Sequence, residues 1–165
     1  MIITSFLGAQ AAHNPRWLVQ RRAKYVLHYA AVDRAQVAEY ESFFAKGVAA
    51  HEAFFQRAYP KRFDVYVHPD RDSFDTALQK RFHEPNFRSA CWLSGVGWSD
   101  GIDVLAPGRW GDGGACEGRY TTYADKEKTQ KFITHELTHV LHGQTNRNHR
   151  PDLNLSSSRL RPKFT

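Results

Sequence analysis

His135, Glu136 and His139 form an H-E-x-x-H pattern, His135-Glu136-Leu137-Thr138-His139, inside a stretch of helical apolar periodicity. Two histidines four residues apart lie on one face of a helix, so both imidazoles reach a single metal ion. Glu136 sits a quarter-turn round, where its carboxylate can take a proton from water activated by that ion. The chemistry this spacing supports is hydrolysis at a zinc site, with His135 and His139 as ligands and Glu136 as general base.

With nine His and seven Glu in the chain, the pattern arises by chance in roughly 2% of shuffled sequences, so the surrounding residues must decide. Taking His135 as zero and about 100° per residue, His139 falls near 40° and His142 near −20°. Ile133, Leu137, Val140 and Leu141 fall between about 140° and 240°. Histidines and apolar residues therefore occupy opposite faces, as in a helix that packs on a core and presents its imidazoles outward. His142 extends the polar face by one turn. It is a possible third ligand, but its distance along the axis suits a supporting or surface role better.

The elements that must position this helix are legible upstream. Residues 24–29 and 63–67 read as strands. Asp33 with Gln36 suggests a capping box, and Val37, Tyr40, Phe44, Val48, His51 and Phe55 predict a long amphipathic helix over 34–58. Residues 72–82 read as a second helix capped by Asp72 or Ser73. Residues 89–94 and 101–105 read as two strands joined through Asp100-Gly101. Residues 107–122 are a Gly-rich loop. The metal-motif helix is expected over 126–142, stopped by Gly143. Residues 1–23 form an N-terminal segment, 24–146 the folded domain and 147–165 a polar tail.

At 165 residues and 41% hydrophobic content the chain can bury a real core. No run approaches the roughly 18 apolar residues of a membrane span. The net charge of +6 is concentrated in the tail, where five basic residues after Gln144 face Asp152 alone. A specific nucleic-acid partner is therefore not expected. Cys91 and Cys116, the only cysteines, form either one disulfide or two buried thiols, and the absence of C-x-x-C spacing excludes a zinc knuckle. Ala9-x-Ala11 after a short apolar run has the form of a signal-peptidase site, although an ordinary N-terminal segment reads equally well. Export, to a secreted or periplasmic location, is favoured over a cytoplasmic one. Gly111-Asp112-Gly113-Gly114 lacks the ending of a phosphate loop. Trp92, Trp98 and Trp110 are expected to pack over the sheet.

The run Phe132-Ile133-Thr134-His135-Glu136-Leu137-Thr138-His139-Val140-Leu141-His142-Gly143 resembles the active-site helix of gluzincin-type, peptidase MA-like zinc metallopeptidases. The order of upstream elements is similar to the N-terminal half of that fold. The resemblance implies an α+β, zincin-like subdomain: a twisted mixed sheet with an edge hairpin, packed on a long helix and the metal helix. It implies Zn2+ as cofactor, a peptide or protein substrate, and the roles given above for His135, His139 and Glu136. In this family the third ligand is a glutamate on a later helix, but no Glu follows Glu136 here. Asp152 and His149, with His142, are the downstream groups able to replace it, and the chain is expected to lack the C-terminal half of the catalytic domain. Tyr120 or Tyr123 is a possible donor to the transition-state oxyanion. The 101–105 strand is a possible exposed edge for an extended peptide, its plain alternative being sheet structure. A catalytically silent zincin-like binding module is the competing reading.

Overall fold

The computed structural model describes residues 15–110 and 125–146. Within them the chain is α+β, with a five-stranded mixed sheet and three α-helices. The strands are β1 (Trp17–Arg21), β2 (Tyr25–Ala30), β3 (Phe63–His68), β4 (Gly95–Gly97) and β5 (Gly101–Leu105). The helices are α1 (Val37–Phe55), α2 (Arg71–Phe82) and α3 (Lys126–Thr145). Sheet order is β1-β2-β3-β5-β4, with β2, β3 and β5 parallel and the outer strands antiparallel. No helix among the described residues is long and apolar enough to cross a membrane.

Strand alternation divides the sheet into two unlike faces. Leu27, Phe63, Val65, Val67, Ile102 and Val104 point to one side. There they join Phe44 and Val48 of α1 and Ile133, Leu137 and Val140 of α3 in the main core. Leu105 points the other way and packs with Phe74 and Leu78 of α2, together with Trp98 and Trp110. These two tryptophans are buried as expected, whereas Trp92 is exposed.

Several boundaries differ from expectation, each for a tertiary reason. Asp33 does not cap α1. It is buried in a 3-10 turn, its carboxylate accepts from Tyr40, and α1 starts behind Gln36 without a side-chain cap. Asp70, rather than Asp72 or Ser73, caps α2, accepting from the Ser73 amide at 2.7 Å. Residues 89–94 are not a strand. The Arg71 guanidinium donates to Ser89 Oγ and to the carbonyls of Ala90, Cys91 and Leu93, holding this stretch as a loop. The antiparallel partner of β5 is β4 instead, so β5 lies inside the sheet with all five residues buried and is not an edge. Residues 17–21, expected in the N-terminal segment, form β1. Gly143 does not end α3, which continues to Thr145. A Cβ on Gly143 would stand 2.9 Å from Ser99 Cα, so the glycine permits close packing on the β4–β5 turn. The Ala9–Ala11 site, Gly111–Gly114, Cys116, Tyr120, Tyr123, His149, Asp152 and the tail lie outside the described residues.

Candidate metal centre on α3

α3 begins at Asp125, whose carboxylate accepts from the Glu127 and Lys128 amides, each at 3.1 Å. Glu127 in the first turn complements the helix dipole. The apolar residues Ile133, Leu137, Val140 and Leu141 are buried, while His135 and His142 are exposed and His139 half-buried. The helix orientation is thus set by its apolar stripe, and the same rotation turns the histidines outward.

His135 and His139 converge. Their Nε2 atoms are 3.2 Å apart and their rings are nearly perpendicular, at 85°. Two imidazole nitrogens bound tetrahedrally to zinc at about 2.0–2.1 Å are separated by roughly 3.3 Å. The observed separation is close to that value and is also that of a hydrogen bond between the two imidazoles. Among the described residues, no group of three His, Cys, Asp or Glu side chains gathers round one point. His142 stands a turn further on, its Nε2 3.4 Å from the Asn146 side-chain amide.

Glu136 departs from a simple surface carboxylate. It is 6% exposed, and burial pushes its pKa up to about 7, opposed by a hydrogen bond from the Gly97 amide. A divalent cation held beside it would pull that value back down. β4 lies against α3 at this point. A Cβ on Gly97 would come within 2.2 Å of the Glu136 carbonyl oxygen and 2.9 Å of His139 Cβ. Only glycine allows the strand to approach so closely, and that approach brings its amide to the carboxylate. The alternating glycines in Gly95-Val96-Gly97 were the available sequence signal for this contact.

A second group missed from sequence supports α3 from behind. His51 of α1 donates from Nδ1 to the Tyr59 hydroxyl at 2.7 Å, and Tyr59 donates to the Leu137 carbonyl at 3.1 Å. His51 Nε2 lies 3.2 Å from Thr138 Oγ1, whose hydroxyl donates to the Thr134 carbonyl at 3.1 Å. Burial lowers the His51 pKa and so favours its neutral form. The network bonds to Leu137 and Thr138, the two residues between the motif's glutamate and its second histidine.

Cys91 is disulfide-bonded, in the loop held by Arg71. No protein-family model, curated protein or solved structure matches the chain.

Proposed function

We propose that this chain carries the zinc-binding helix of a metallopeptidase and acts in peptide-bond hydrolysis. The observation that carries the reading is the 3.2 Å separation of the His135 and His139 Nε2 atoms, the bite expected of two ligands on one zinc ion. When bound, zinc supplies Lewis acidity toward an amide carbonyl and toward water. His135 and His139 would hold the ion through Nε2. Glu136 would accept a proton from the attacking water at its carboxylate and deliver it to the leaving amine nitrogen. The Gly97 amide would keep that carboxylate in place before reaction. The outer edge of β4, which pairs with no described strand, would align an extended peptide by strand addition.

The test is zinc content after dialysis, measured beside hydrolysis of a denatured protein substrate. Wild type should retain one zinc per chain. His135→Ala should weaken zinc binding by at least about a hundredfold, beyond the effect of losing an outer-sphere partner. Glu136→Gln should keep the zinc and lose the hydrolysis. A folded wild type that retains no zinc and cleaves nothing would overturn the proposal and leave the binding-module reading.

A further inference from the structure

The sheet face away from α1 and α3 carries a polar cluster that the metal centre does not use. His68 and Asp103 are 2% and 6% exposed, and His68 Nε2 lies 2.9 Å from Asp103 Oδ1. Beside them a second pair, His28 and Asp64, is joined at 2.8 Å, and His28 stacks on Tyr66 at 4.3 Å. Between this face and α2 opens a cavity of about 540 Å3, inside the roughly 300–1,000 Å3 range of small-molecule sites. His68 and Asp103 form its buried base, Trp17 and Tyr66 an aromatic wall, and Lys80 and Arg81 its more exposed side.

Packing does not account for the His68–Asp103 pair. The neighbouring residues of this layer are Phe74, Leu78 and Leu105, all fully buried. Placing two ionisable groups among them costs desolvation that an apolar pair would avoid. The cost is also incompletely recovered, because His68 Nδ1 is buried without a hydrogen-bond partner. A pair kept at this cost in the floor of an open cavity points to a role beyond packing.

Charge selects the ligand. Asp103 lies 2.9 Å from His68 Nε2 and 3.9 Å from Arg81 Nη2. Arg81 is itself held by both oxygens of Asp100, at 3.0 and 2.8 Å, and lies over the Trp98 ring. Lys80 makes no ion pair among the described residues, so its ammonium is the uncommitted charge at the cavity. Trp17 meets Tyr66 edge-on at 5.5 Å and meets His68 edge-on at 5.3 Å, so two aromatic rings stand nearly perpendicular above the polar base.

We propose that this cavity binds a small planar aromatic anion. Its ring lies against Trp17 and Tyr66, and its acid group is held by Lys80. His68, whose ring Asp103 orients, packs edge-on against Trp17 and fixes the position of that wall. The site shares no residue with α3 and stands whether or not α3 binds zinc.

The full chain, stripped of metal, would be titrated with sodium naphthoate and, separately, with the neutral naphthylmethanol. Binding would be followed by tryptophan fluorescence and amide NMR shifts. Saturable naphthoate binding with Kd below about 1 mM is expected, with naphthylmethanol at least about tenfold weaker. Lys80→Ala should weaken naphthoate about tenfold, and His68→Gln should weaken both ligands. His135→Ala should leave the naphthoate Kd unaltered, which separates this site from capture at the α3 histidines. Because Lys80 is exposed, its variant remains informative if the His68 variant does not fold. Naphthoate that fails to saturate by about 10 mM, equal affinity for the neutral analogue, or an unaltered Kd in Lys80→Ala would each overturn the proposal.

Discussion

Gly97→Ala probes the contact on which the candidate metal centre depends. The added methyl would meet the Glu136 carbonyl oxygen at 2.2 Å and His139 Cβ at 2.9 Å. An ordinary contact needs about 1 Å more room, and the obstructing oxygen belongs to helix backbone, which cannot rotate away. β4 must therefore move outward. It has only three residues, held to β5 through the Gly95–Val104 to Gly97–Ile102 register, so it yields before α3 does. That movement strains the packing by about 1–3 kcal/mol. It also lengthens the Gly97 amide bond to the buried Glu136 carboxylate, an interaction of about 1.5–3 kcal/mol for a charged acceptor. The two losses overlap, and a net destabilisation of about 3 kcal/mol is expected. In a domain of this size that lowers Tm by roughly 6–12 °C. Thermal melts with and without zinc are the assay. The zinc-induced rise in Tm should shrink along with the baseline, since the same methyl displaces His139. An unchanged Tm together with an unchanged zinc increment would refute the close approach of β4 to α3 and the role assigned to Gly97.

Tyr59→Phe removes a hydroxyl bonded to both His51 and the Leu137 carbonyl. It should cost about 1–3 kcal/mol in urea denaturation, and an unchanged midpoint would show that this network does not brace α3. Because the folded His51 pKa is lowered by burial, the unfolded chain binds more protons. Stability should therefore fall as pH drops below about 6.5 toward the lowered folded value; His51→Gln should flatten that slope, measured as unfolding free energy against pH. Arg71→Met leaves the Cys91 and Leu93 carbonyls without this donor, and Ala90 with the Leu93 amide alone. Limited proteolysis should then cut first in this loop, and cutting that begins elsewhere would count against Arg71 as its organiser.

The α3 stripe illustrates how much local pattern can carry. Ile133, Leu137, Val140 and Leu141 recur at helical spacing, so burying them determines which way His135 and His139 point before any other element is placed. The same logic made β3 and α1 readable, because alternation and periodicity each record a buried face, whereas β5, buried on both faces, was legible beside the Asp100-Gly101 turn. Asp33 shows the limit. Its capping-box spacing was sound, yet a 3-10 turn precedes α1 and the carboxylate bonds the Tyr40 side chain instead of the helix amides. Residues 89–94 failed for a similar reason, since Arg71, some twenty positions away, takes their carbonyls.

Sequence alone thus determined the α+β class, the metal-motif helix and the outward face of its two histidines, all consequences of short-range periodicity. Only tertiary structure decided that β4 and not β5 forms the sheet edge, that Gly97 reaches Glu136, and that His68 meets Asp103 beneath an aromatic wall. The last two contacts join residues 35 or more positions apart, and the place of the β4–β5 pair at the sheet edge depends on β5 pairing with the distant β3.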